Sequence, residues 1–211
     1  MTNPAEEVIL EFEHVELLLK RLRLPALLHR LPPKLVWSAY VCINGFVTIA
    51  LLALLGEVTG SPFVFPSLGP TAYLLFFTPL HKSASPRNAV LGHAIGLLCG
   101  FGAFWVTGMH PFSQHPVQGF YWPELVAAAL SLAATGTLMV AFSVSHPPAG
   151  ATTLIVALGI LYKPWHLVVI EVAVVLLVLQ GWAFNRLAGL DYPFWYRKGE
   201  KPLPPSMRPE A

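Results

Sequence analysis

Most charged side chains of this 211-residue chain lie before residue 35, between 82 and 87, or after 185, and the stretches between them are apolar. A helical bilayer crossing needs about 20 apolar residues, and several of these stretches have that length. Charged residues make up 11% of the chain and mean hydropathy is +0.61, whereas about 25% charge is usual in a soluble domain. The pattern predicts an all-α, multi-pass membrane protein whose first partner is the lipid bilayer. The net charge of +2 follows from topology and gives no ground for a nucleic-acid partner. The first thirty residues mix both charge signs and lack a continuous apolar core, so no cleavable leader is expected. Cys42 and Cys99 fall inside apolar stretches and read as packing residues, with neither a disulfide framework nor metal spacing. No cofactor and no metal site are expected.

Residues 1–31 read as a cytoplasmic amphipathic helix and linker, with Val8, Phe12, Val15, Leu19 and Leu22 at helical spacing over 5–23. Residues 32–188 read as the transmembrane domain and 189–211 as a charged, proline-rich tail. Full spans are expected at about 35–55, 88–107, 124–144 and 164–187. Two further apolar segments, 61–80 and 145–162, are broken by proline and glycine. If all six segments cross, twelve of the 13 lysines and arginines fall on one side and only Lys163 on the other. Positive flanks mark the cytoplasmic side, so both termini are expected there, in a plasma or bacterial inner membrane. Gly92, Gly96 and Gly100 form a row that lets another helix approach closely; packing within one subunit is favoured over a dimer seam. A homodimer is expected from size alone.

The two broken segments align without a gap at an offset of 81: FPSLGPTAYLLF from Phe65 and HPPAGATTLIVA from His146. Pro66 matches Pro147, Gly69 matches Gly150, Thr71 matches Thr152, and the same offset carries Gly100 onto Gly181. Each broken segment is the middle one of three, giving repeats at about 34–107 and 124–188. Three crossings are an odd number, so the copies must insert in opposite directions, as in many secondary transporters. The fold expected is six membrane segments as two inverted three-segment repeats, the middle segment of each half-helical. Short helices that begin inside the membrane present N–H groups with partial positive charge, which favour an anion. Proline opposes a continuous helix at Pro66 and at Pro147–Pro148. Candidate substrate contacts are therefore Ser67, Leu68, Gly69 and Thr71 in the first repeat, and His146, Ala149, Gly150, Thr152 and Thr153 in the second. A packed, neutral His146 is an equal reading.

The stretch SHPPAGATTL resembles the HPP family of integral membrane proteins, named for the triplet seen here as His146, Pro147 and Pro148. PSLGPTAYLLF and SPRNAVLGHAIG also look like that family, over about Pro32 to Leu187, although Pro66–Pro70 departs from a phenylalanine-glycine-alanine-serine type of run. The resemblance implies transport of a small anion, nitrite. Pathway candidates are Asn44, Arg87 and His93. Bland readings stand beside them: an interhelical hydrogen-bond partner, a positive-inside anchor and a carbonyl-satisfied histidine. Glu171 is the only acid well inside a span, suited to proton coupling or to pairing with Lys163 or His166. His146 lacks an accompanying nucleophile, carboxylate pair or metal cluster, so an enzyme is not expected. A different small anion, a neutral solute, or a structural module that helps a partner assemble remain the alternatives.

Overall fold

The computed structural model describes residues 23–109, 111 and 121–196. The expected surface helix up to residue 22, His110, His115 and the tail from 197 lie outside these residues. Among the described residues all regular structure is helical. The elements are α1 (Leu24–Leu28), α2 (Pro33–Thr59), α3 (Leu68–Phe77), α4 (Pro86–Val106), α5 (Trp122–Ala141), α6 (Ala149–Ala157) and α7 (Pro164–Leu187), with a 3-10 turn at Lys82–Ala84.

Four of them, α2, α4, α5 and α7, are long and apolar enough to cross a membrane. Each opens with a proline in its first turn, where the missing N–H would have had no partner anyway. The left-handed Gly60 (φ 64°) ends α2, and its N–H returns to Gly56 O. Two short helices complete the bundle. Residues 62–65 and 144–146 have no regular structure: Pro62, Pro66, Pro147 and Pro148 deny helical hydrogen bonds there. α3 starts at Leu68, inside the expected broken segment, because Pro70 falls in its first turn and breaks no intrahelical bond.

α4 packs against α5, α6 and α7, while α3 packs against α2 and α7. The core between α3, α4, α6 and α7 holds Leu68, Leu75, Phe76, Leu97, Val156, Ile170, Val174 and Leu177. The glycine row of α4 faces α6. A methyl group at Gly92 would lie 2.7 Å from His146 Cβ, one at Gly96 2.7 Å from Ala149 O, and one at Gly100 2.5 Å from Thr153 O. The row is thus used inside the subunit, and it is not free to serve as a seam between copies. α7 repeats the device with Gly181, whose added methyl would meet Leu75 Cδ1 at 3.0 Å. Outward-facing side chains such as Ile43, Phe46, Leu54 and Val58 on α2 are large, apolar and exposed, as a lipid-facing flank requires. At the start of the described chain, Leu24 and Leu28 bury against Val36, Trp37 and Leu190, and Leu24 N–H donates to Ala188 O at 2.8 Å.

Candidate functional site

Ser67, Thr71, His93, His146, Thr152 and Thr153 are all fully buried, in the middle of this apolar bundle. The irregular segments 62–65 and 144–146, just ahead of Pro66 and Pro147, lead into the starts of α3 and α6, which meet. Ser67 Oγ, at the start of α3, lies 2.6 Å from Thr152 Oγ1 in the first turn of α6. α4 inserts His93 between them: Nδ1 is 2.7 Å from Thr152 Oγ1 and Nε2 is 2.9 Å from Thr71 Oγ1. Thr71 Oγ1 also lies 2.9 Å from Ser67 O and 3.2 Å from His146 Nε2. His146 Nδ1 reaches Ser83 O at 2.8 Å. The two imidazole centroids are 5.0 Å apart. A second bond set continues along α6: Thr153 Oγ1 lies 3.1 Å from Ala149 O and 2.8 Å from Thr135 Oγ1 of α5.

The local sequence explains this geometry. Thr71 and Thr152 stand at the ends of first turns and Thr153 follows, where a hydroxyl can turn to a carbonyl or to a partner across the gap. His93 follows Gly92, and that glycine leaves room for the His146 side chain, whose Cβ would lie 2.7 Å from a methyl placed there.

The sequence candidates divide into two groups. Ser67, Thr71, His93, His146 and Thr152 form one ring, and Thr153 adjoins it. The others lie elsewhere. Leu68 is fully buried in the apolar core. Ala149 is fully buried and presents its carbonyl to Thr153 and Gly96. Gly69 is exposed on the far side of α3, lining a groove of about 240 Å³ with Val41, Gly45, Ile49, Ala72, Tyr73 and Phe76. Gly150 is half-buried, and a methyl placed there would meet Leu132 Cδ1 at 3.3 Å. The N–H groups of Ala149, Gly150 and Ala151 donate to His146, Pro147 and Pro148 carbonyls at 3.1, 3.0 and 3.1 Å. The first turn of α6 is thus wound tightly on itself, and these N–H groups are occupied in this conformation. What the ring offers a ligand is hydroxyls and imidazole edges.

Asn44 donates to Tyr40 O of its own helix at 2.7 Å and lines a separate groove of about 520 Å³ among α1, α2 and α7. Arg87 ties the end of α5 to the start of α4. Its Nη1 donates to Asn88 Oδ1 and Ser143 O, its Nη2 donates to Phe142 O, and its guanidinium lies over the Tyr196 ring. Sequence reasoning missed Ser83 and Thr135. Thr135 carried a faint signal, one of two hydroxyls in the small-residue run Ala133–Thr137; Ser83, acting through its carbonyl, carried none.

The family model described as "HPP, transmembrane region" matches residues 31–193. The chain belongs to the HPP family. The match spans every element from α2 to α7 and includes every residue of the ring. No curated protein matches the chain, and no solved structure does. Within this HPP protein the namesake triplet has distinct parts. His146 joins Thr71 of the ring to Ser83 O, while Pro147 and Pro148, which have no N–H, stop the helix from running back through the histidine.

Proposed function

We propose that this protein moves a small inorganic anion across the bilayer, nitrite being the cargo that the family resemblance implies, and that it is not an enzyme. The observation that carries the reading is the ring itself: five buried hydroxyl and imidazole side chains where two half-helix starts meet. Polar groups are expensive inside a membrane and mark pathways there. The saturated ring corresponds to a closed state, and the anion passes when the starts of α3 and α6 part.

Reciprocal packing supports the inverted-repeat plan. At the offset of 81, Gly100 corresponds to Gly181 and Val156 to Leu75. A methyl at Gly100 would meet Val156 Cβ, and a methyl at Gly181 would meet Leu75. The third helix of each repeat thus packs on the half-helix of the other. The contact of α4 with α5 likewise corresponds to that of α7 with α2. The charge distribution supports cytoplasmic termini.

Purified protein in liposomes, tested with nitrite, nitrate, chloride and formate, decides the matter. Flux above empty vesicles is expected for at least one anion, with Thr152→Val lowering it about tenfold or more through loss of two ring hydrogen bonds. No flux for any of the four anions refutes the reading. Ring saturation also supports a second reading, a structural junction for assembly. Undiminished flux in a folded Thr152→Val protein would leave the ring that role alone.

A further inference from the structure

Every proton in the ring can be placed by elimination. A carbonyl oxygen only accepts, so His146 Nδ1, 2.8 Å from Ser83 O, carries a hydrogen. Neutral His146 then has a bare Nε2, which faces the Thr71 hydroxyl at 3.2 Å. Thr71 has one proton, drawn by His146 Nε2 and by Ser67 O at 2.9 Å. That proton is not available to His93 Nε2 at 2.9 Å, so His93 Nε2 carries the hydrogen and donates. His93 Nδ1 is therefore bare and accepts from Thr152 Oγ1 at 2.7 Å. With the Thr152 proton used, Ser67 Oγ donates to Thr152 Oγ1 at 2.6 Å. The result is one head-to-tail chain running Ser67, Thr152, His93, Thr71, His146, Ser83 O. Just beyond it, Ser83 Oγ lies 3.1 Å from Ser145 Oγ, and Ser145 is exposed.

We propose that this chain is a proton relay, and that the protein carries a proton together with its anion through the same ring. The co-transport rests on the transport reading above. An anion entering an apolar bundle needs a countercharge, and among the described residues neither lysine nor arginine hydrogen-bonds to the ring. The guanidinium of Arg87, on the same helix as His93, is held by the Phe142 and Ser143 carbonyls. The cation the ring can make for itself is an imidazolium.

The transfer is balanced. With the excess proton on His93, that ring carries hydrogens on both nitrogens. His93 Nε2 gives its hydrogen to Thr71 Oγ1 as the Thr71 hydroxyl proton passes to His146 Nε2. His93 is left neutral with hydrogen on Nδ1, Thr71 is again a hydroxyl, and His146 is the imidazolium. His146 then releases its Nδ1 proton to water entering from the Ser145 side. Other ionisable groups stand on the elements packed around the pair. They are Tyr73 on α3, Glu124 in the first turn of α5, His81 and Lys82 beside the 3-10 turn, and His166, Glu171 and Arg186 on α7. Arg186 pairs with Asp191. Glu171 is the rival proton carrier, since both its carboxylate oxygens are buried without a hydrogen-bond partner among the described residues.

The test uses full-length protein in vesicles loaded with a pH-sensitive dye, membrane voltage clamped, with nitrate and nitrite as probes. One proton is expected to enter with each anion, and initial flux should rise about tenfold per unit of external acidification. His93→Gln, which keeps hydrogen bonding but cannot take up a proton, should abolish proton entry and pH dependence; Glu171→Gln should leave both intact. Anion flux without proton entry overturns the relay and leaves the transport reading standing. Proton entry that needs His93, without anion flux, does the reverse. Neither flux overturns both. Coupling lost in Glu171→Gln but kept in His93→Gln overturns the relay in favour of Glu171. Should His93→Gln not fold, ¹⁵N imidazole shifts of the native protein decide. Hydrogen on His146 Nδ1 and His93 Nε2 is expected, and the opposite pair of tautomers overturns the proposal.

Discussion

Adding one methyl group at Gly100 tests the packing that holds the site together. An alanine Cβ there would lie 2.5 Å from Thr153 O, 3.0 Å from Val156 Cβ and 3.3 Å from Ala157 N. These are backbone atoms and a β-branched stem, so no flexible tip can swing aside. Relieving the carbonyl contact requires α6 to retreat by about 0.7 Å, and a gap of that size forfeits a quarter to a half of each van der Waals well across the interface. Overpacking of this kind costs about 1–3 kcal/mol. Gly102 is the matched control, two residues along the same helix with nothing within 4 Å of its added Cβ. Both substitutions gain the same helix propensity, about 0.8–1 kcal/mol, so their difference isolates the clash. Moving α6 by that distance also stretches the Ser67–Thr152 contact to about 3.3 Å, near the limit for a hydrogen bond. The assay is reversible unfolding in mixed micelles titrated with SDS, read by circular dichroism. Gly100→Ala should unfold at lower SDS than wild type and Gly102→Ala at equal or higher SDS. Midpoints that coincide would refute the packing argument.

Gly181→Ala meets the flexible end of Leu75 at 3.0 Å and should cost less than Gly100→Ala, under about 1 kcal/mol in the same titration. Asn185→Leu should cost about 2–3 kcal/mol, because it strands the Leu75 carbonyl and the Tyr40 hydroxyl, which the amide now meets at 3.0 and 2.9 Å.

The long spans were legible because periodic apolar runs and flanking prolines act locally. The expected 164–187 coincides with α7, and the expected 88–107 differs from α4 by one or two residues at each end. The broken segments were legible for the same reason, since Pro66 and Pro147–Pro148 cannot sit in the interior of a continuous helix without removing its hydrogen bonds. Facing was the part that could not be read. A helix of ten residues turns fewer than three times, and its motif does not say which side meets α4. Thr71 therefore points into the ring while Gly69, two residues earlier, faces a groove on the other side of α3. The expectation that α6 presents free N–H groups failed for a related reason. The double proline tightens the turn enough for the His146, Pro147 and Pro148 carbonyls to take those hydrogens. His93 stood only as a pathway candidate, because nothing in the sequence reveals that Gly92 admits the His146 side chain beside it.

Two threonines of opposite circumstance give the sharpest check on the claim that the polar bonds are placed with purpose. Thr48 on α2 is fully buried, and its hydroxyl has no hydrogen-bond partner among the described residues. Thr135 on α5 is buried too, but its hydroxyl lies 2.8 Å from Thr153 Oγ1. Valine matches threonine in shape and lacks the hydroxyl, so Thr→Val at each site changes polarity while nearly preserving packing. At Thr48 the change removes an unpaired buried polar group, whose burial costs about 1–3 kcal/mol, and stability should rise. At Thr135 it breaks a made bond and leaves Thr153 with one partner fewer, so stability should fall by about 1 kcal/mol. Equal shifts of the same sign in the SDS titration would mean that the hydroxyls contribute through something other than their hydrogen bonds. Opposite signs would tie the stability of α6, and with it the position of Thr152 in the ring, to the bond that α5 makes.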